Sequence, residues 1–172
     1  MDSFTTGAEI RIADEEDLWQ VRELAEQLFP PTYEEFLDRR HINYMMDLFY
    51  SPEALVYQLD AGQHFLLLYY EGNPAGYASY TPINEEGDFK LNKIYLDAGL
   101  RGMSLGKLLI YDIIARVKSA GGRTLQLNVS RHNTATGFYE KMGFTLLKEE
   151  MLDIGGGYFM DDWVMQYSIE QD

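Results

Sequence analysis

The chain has 172 residues, 28 acidic and 14 basic for a net charge of −14, with 46% hydrophobic and 14% aromatic side chains and no cysteine. That apolar content offsets the entropy of ordering and excludes a disordered chain, and the length suits a single domain, expected over residues 1–172. The negative field disfavours phosphate backbones and anionic lipid, so neither a nucleic-acid nor a membrane partner is expected; without cysteine there is no disulfide, thiolate zinc site or Cys nucleophile.

The segment MDSFTTGAEI lacks the basic stretch and apolar block of a signal peptide, and no apolar run approaches the roughly 20 residues that cross a bilayer, so a cytoplasmic location is expected. Residues 9–13 (EIRIA) alternate like a strand, and Asp14 opens a helix with Leu18, Val21, Leu24, Ala25 and Leu28 at helical spacing. Pro30 and Pro31 are expected to stop it. Residues 32–61 read as broken helix, richer in Tyr, Phe and Met than one wall of a core requires, which suits a cap over a substrate.

Residues 64–70 (HFLLLYY) and 77–82 read as a hairpin around EGNPAG, and residues 89–96 (FKLNKIYL) as the next strand. A helix over 104–120 lines up Leu105, Leu108, Leu109, Ile113 and Val117 and stops at Gly121-Gly122. Strand 124–129, short helix 133–142 and strands 144–153 and 158–169 complete a mixed α/β layer with a strand–helix–strand crossover at its centre.

Two stretches carry chemistry. In RGMSLGK, residues 101–107, Gly102, Ser104 and Gly106 leave room at a helix start, where free N–H groups and a partial positive charge favour phosphate; Arg101 and Lys107 add cations. The spacing rejects a Walker A loop, which would need Gly at 101 and Ser or Thr at 108, and rejects a dinucleotide fingerprint. In NVSRHNTATGFYEKMGF, residues 128–144, Asn133 can cap a helix and Tyr139 stands beside Phe138. His41, His64 and His132 lack ligand spacing, so no metal is expected.

Strand FKLNKIYL, turn RGMSLG, helix, strand and then NTATGFYEKMGF together resemble the GNAT (Gcn5-related) superfamily of N-acetyltransferases, whose cofactor loop reads Q/R-x-x-G-x-G/A and whose next block reads N-x-x-A-x-x-F-Y-x-K-x-G-F. The motif resemblance covers residues 89–144, and the strand layout extends it over the chain. Ser104 departs from the family's first loop glycine, which puts cofactor affinity in question, and Gly137 stands where a larger residue is usual. The resemblance implies a central, mostly antiparallel, splayed sheet of six or seven strands flanked by helices.

It further implies acetyl-CoA as co-substrate, lying where the strand with Ile94, Tyr95 and Leu96 splays from the strand ending at Asn128. Residues Arg101, Gly102, Met103, Ser104, Leu105, Gly106 and Lys107 would hold its pyrophosphate, and the amide of Leu96 or a neighbour would polarise the thioester. Asn133, Phe138 and Lys141 would contact it further along, and Tyr139 would protonate the departing thiolate, which a phenol of pKa about 10 can do at neutral pH. With no Cys relay, direct transfer in a ternary complex to a primary amine of a small, cationic molecule is the expected reaction. A protein or peptide acceptor, a CoA-binding regulatory domain without turnover and a binding module for apolar ligands are the competing readings. Glu85, Glu86, Asp161 and Asp162 are base candidates, all expected to be solvated. Self-pairing through the final strand, residues 158–167, is the expected dimer contact.

Overall fold

The computed structural model describes residues 7–171. β1 (Ala8–Ala13) leads through a 3-10 turn at Glu15–Asp17 into α1 (Leu18–Tyr33), α2 (Arg39–Tyr50) and α3 (Pro52–Asp60). Contrary to the sequence expectation, α1 runs through Pro30 and Pro31. Prolyl φ suits a helix; what is lost are two N–H donors, and the carbonyls they would have met belong to the exposed Glu26 and Gln27, where water serves. Continuing the helix buries Phe29 and Tyr33, whose ring centroids lie 4.7 Å apart.

β2 (His64–Tyr70) and β3 (Asn73–Pro82) form a hairpin closed by Glu71 and Gly72, both at positive φ, and β4 (Asp88–Leu96) pairs antiparallel to β3. α4 (Leu105–Ser119) crosses over to β5 (Thr124–Ser130), the strand parallel to β4. α5 (Thr136–Met142) precedes β6 (Thr145–Gly155) and β7 (Tyr158–Ser168), and the single seven-stranded sheet runs β1-β2-β3-β4-β5-β7-β6. α5 starts later than the sequence suggests because Asn133 accepts from Ala135 N at 2.8 Å, an Asx-type turn ahead of the helix. The edges of the sheet are β1 and β6, and β7, the final strand expected to pair copies, lies between β5 and β6.

Helices cover both faces. Leu109, Ile110, Ile113 and Val117 of α4 pack on Leu125, Leu127 and Val129, while Leu24, Phe29, Met45 and Leu55 of the first three helices pack on Phe65, Leu67 and Tyr77. β2 has residues on both faces of a covered sheet, which is why its apolar run does not alternate. Among the described residues no helix is long and apolar enough to cross a membrane, and no cluster of His, Asp and Glu could hold a metal ion.

One irregularity shapes the site. Tyr80 pairs with Leu91 and Ser79 with Lys93, so Asn92 is an extra residue, a β-bulge in β4. Before it Phe89 and Leu91 point to α4; after it Ile94 and Leu96 do so, and Lys93 and Tyr95 turn to the α1–α3 side. The β4–β5 ladder stops at the same place: its last pair is Leu91 with Leu127, and beyond it the strands diverge into a V.

Candidate active site

The groove on the α4 side of the V has a volume of about 910 Å³. Its floor is the turn into α4. Arg101 N and Met103 N turn inward to Ala98 O and Leu100 O, both at 3.3 Å, whereas the amides of Gly102, Ser104, Leu105, Gly106 and Lys107 find no partner among the described residues. Gly102 (φ 88°) and Ser104 (φ 58°) both adopt left-handed backbone, which aims successive amides the same way, as in an anion nest. At Gly106 a Cβ would come 3.1 Å from Leu96 Cδ1 and 3.4 Å from Phe138 Cζ, so a side chain there would crowd the groove wall. Arg101 and Lys107 are exposed at its rim and neither is ion-paired among the described residues. Free amides, a small-residue cradle and two unpaired cations fit a diphosphate.

The V itself, about 430 Å³, opens from this groove between the unpaired ends of β4 and β5. Tyr139 lines both spaces. It is half-buried, its ring against Phe138 and Phe144 at 5.3 and 5.7 Å, and its hydroxyl makes no hydrogen bond among the described residues. Burial pushes that phenol above its usual range, the nearby Tyr33 adding to the effect, so it holds its proton more firmly than a free tyrosine. Across the V, Tyr33 and Tyr95 share a hydroxyl–hydroxyl bond of 3.0 Å.

Past these phenols lies an inner cavity of about 370 Å³ beneath α1–α3. The β6–β7 hairpin closes it, its tip clasped by Tyr44, which donates to Ile154 O, and by His41 stacked on Tyr158. Asp162 lies in its wall at 2% exposure. Asn128 Nδ2 donates to Asp162 Oδ2 at 3.2 Å and to Glu150 Oε1 at 2.9 Å, and Asp162 Oδ1 has no partner among the described residues. Burial raises the Asp162 pKa; the Asn128 bond opposes that, Glu150 adds to it, and Lys90 lowers it. Lys93, 8% exposed, donates to Gln58 Oε1 at 2.8 Å and Gln63 Oε1 at 3.3 Å and sits 5.6 Å from the Tyr50 and Phe65 ring centres. Burial, with Lys90 nearby, lowers its ammonium pKa to about 7. Asn92 Oδ1 is buried without a partner at the junction of V and cavity.

Of the residues expected from sequence, Ile94, Leu96, Arg101, Gly102, Ser104, Leu105, Gly106, Lys107, Asn133, Phe138 and Tyr139 gather around the groove. Tyr95 faces the V and the inner cavity instead. Met103 and Lys141 line none of these spaces, and the side chain of Asn128 is bound to the carboxylates of Glu150 and Asp162, where the V meets the inner cavity. Glu85 and Glu86 are exposed around another hollow beside His64, and Asp161 is held by Arg131 at 3.1 Å. Asp162 reverses the expectation of a solvated carboxylate, because its strand position faces the core with Met160 and Val164. That parity was a signal available in the sequence. Lys93 was overlooked, and the bulge at Asn92, which turns Leu91 to the opposite face, removes the period-two signal on that side of it.

The model of the acetyltransferase (GNAT) family matches residues 18–144. Among solved structures, the fold resembles PaiA N-acetyltransferase of Thermoplasma acidophilum in complex with coenzyme A, at 24% identity, 94% coverage of this chain and 98% of that one, and a TM-score of 0.77. It also resembles the ribosomal-protein-S18-alanine N-acetyltransferase of Escherichia coli (17% identity, 96% of each chain, TM-score 0.71) and YncA of Salmonella typhimurium with its cofactor acetyl-CoA (16%, 97% and 96%, 0.64). At these identities the likeness is one of fold. No curated protein sequence matches the chain.

Proposed function

The chain belongs to the acetyltransferase (GNAT) family, and from that premise we propose that it moves the acetyl group of acetyl-CoA to the primary amine of a small molecule that arrives as a cation. Acetyl-CoA supplies an acyl group activated as a thioester. The free amides of Gly102, Ser104, Leu105, Gly106 and Lys107, with Arg101, are the groups that would hold its diphosphate. Edge groups of β4 around Leu96, unpaired toward β5, are available to the pantetheine amides and the thioester oxygen.

The observation that carries the reading is that the groove and the V share Tyr139 in their walls while the V and the inner cavity share Asn92, Tyr95 and Asn128, so that a proton donor, Tyr139, and a carboxylate, Asp162, line successive spaces. Tyr139 keeps its proton at neutral pH and presents it toward the leaving sulfur. Asp162, buried and raised above an ordinary carboxylate, takes the ammonium proton directly or through one water. With both reactants held in one passage, transfer is direct, and positioning supplies much of the rate.

The cavity's size, with the clasped hairpin along one side, favours a small acceptor over a protein chain. Thiol release from acetyl-CoA across a panel of primary amines and short peptides tests this; turnover confined to peptides would overturn the small-molecule acceptor. For self-association the sheet offers two edges, β1 and β6, of which β6 exposes Leu146, Leu147 and Met151, and native mass spectrometry reads the oligomeric state directly.

A further inference from the structure

We propose that the inner cavity takes an acceptor that carries a carboxylate as well as its primary amine, the carboxylate seated against Lys93 and the amine between Asp162 and Asn92. This rests on the acetyl-transfer reading above and names the substrate class for it.

The argument starts from an unneutralised cation. Lys93 is 8% exposed, yet its partners are the neutral oxygens of Gln58 and Gln63 and the faces of two aromatic rings. Among the described residues neither Lys93 nor Lys90, the two lysines of the cavity wall, forms an ion pair. This is a chain with 28 carboxylates and 14 cations, so an anion within reach would be the default. A buried ammonium without a counter-charge is unfavourable, and two amide oxygens compensate only part of its lost hydration. A carboxylate entering the cavity would supply the missing charge.

The same cavity holds the opposite unmet need. Asp162 Oδ1 and Asn92 Oδ1 are acceptors without donors among the described residues; Asn92 lines the V as well as the cavity, and so does Asn128, to which Asp162 is bonded. An ammonium provides up to three donors there, beside Asn92 and Asn128, which open onto the V. A diamine would satisfy Asp162 and set its second cation against Lys93 and Lys90, and a simple alkylamine would leave the lysines unpaired. An amino-carboxylate answers both needs at once, and about 370 Å³ accommodates a small one.

The test uses the full chain with acetyl-CoA and a series of glycine, β-alanine, 4-aminobutyrate and 6-aminohexanoate, each set against the alkylamine and the diamine of equal length. The expected result is that at least one amino-carboxylate exceeds its matched amines by about tenfold or more in kcat/KM, the worth of one charge-assisted contact. Lys93→Met should remove that preference through KM, with a heavier loss on amino-carboxylates than on alkylamines, and Lys90→Gln should weaken it less. Matched amines used as well as every amino-carboxylate, or equal losses on both in Lys93→Met, would overturn the proposal. Calorimetry on the wild-type protein loaded with CoA needs neither turnover nor a folded variant. Heat with an amino-carboxylate and none with its alkylamine upholds the subsite, and equal or absent heat for all overturns it. If an amino-carboxylate binds and no amine releases thiol, the subsite stands and the transfer reading fails.

Discussion

Asn128 and Asp162 are joined across β5 and β7 by a 3.2 Å hydrogen bond that leaves Oδ1 of the carboxylate without a partner among the described residues, in the wall of the inner cavity. Asn128 holds that carboxylate in place, and burial makes it more basic than one in water. Asp162→Asn should therefore lower kcat by about 100-fold or more. The acid limb of the wild-type pH–rate profile, set by a carboxylate above its ordinary pKa, should disappear with it. A folded-state pKa raised above the unfolded value means that the group's stabilising share is complete below the unfolded pKa and lost as pH rises through the folded one. Asp162→Asn should consequently melt at or above the wild-type temperature at pH 7. A variant that is both destabilised and fully active would remove Asp162 from the mechanism.

Tyr139→Phe keeps the ring contacts with Phe138 and Phe144 and deletes only the proton. The expected loss is about 100-fold in kcat, with CoA affinity by calorimetry unchanged. Because burial raises the phenol, it acts mainly by donating a hydrogen bond as negative charge grows on sulfur, and the alkaline limb of wild type should lie above pH 10. Equal rates for the two proteins would exclude Tyr139 as the donor.

Ser104 sits at φ 58°, ψ 24° at the start of α4, and its side chain makes no capping bond. An L-residue held in left-handed backbone costs roughly 1–2 kcal/mol, a strain that glycine relieves. Ser104→Gly should raise the melting temperature, by an amount corresponding to about 1 kcal/mol, and bind CoA at least as tightly, since the amide direction is already the required one. Weaker CoA binding would mean that the Ser104 hydroxyl itself bonds phosphate.

How much of this could be read from the residues follows from what each signal depends on. Element order came from period and from Gly punctuation, and those hold locally: α4 with its Gly121-Gly122 end stands where its apolar stripe says. Pro30 and Pro31 misled because the gain that overrides them, burial of Phe29 and Tyr33 against Tyr50 and Tyr95, is made with residues far along the chain. The groove was legible because backbone geometry at Gly102 and Gly106 is written in residue type. The acceptor side was legible only in part. Lys93 looks like an ordinary surface charge until the bulge at Asn92 sets it on the inner face, whereas Asp162 shares the parity of Met160 and Val164 in β7 and could have been read from it. A bulge is a decision of pairing, and nothing in LNKIY marks which residue is the extra one.

Lys93 also makes a claim on stability that differs in sign from most ion pairs. Its folded pKa is lowered from 10.5 to about 7 by burial, so between those values the unfolded chain binds more protons than the folded one. Stability must then rise with pH across that window, and the relief is lost as pH falls through about 7. Below that point the folded protein carries a buried ammonium at a cost on the order of a few kcal/mol. Lys93→Met removes the charge and keeps the length of the chain against Tyr50 and Phe65, but leaves the carbonyl of Gln58 without its donor, a loss of about 1 kcal/mol. The charge term is the larger at low pH, so Lys93→Met should melt higher than wild type at pH 6. The advantage should shrink toward pH 9 as the wild-type lysine gives up its proton. Melting curves of both proteins at pH 6, 7.5 and 9 check this, and a difference that does not change with pH would show that Lys93 is not buried as a charge.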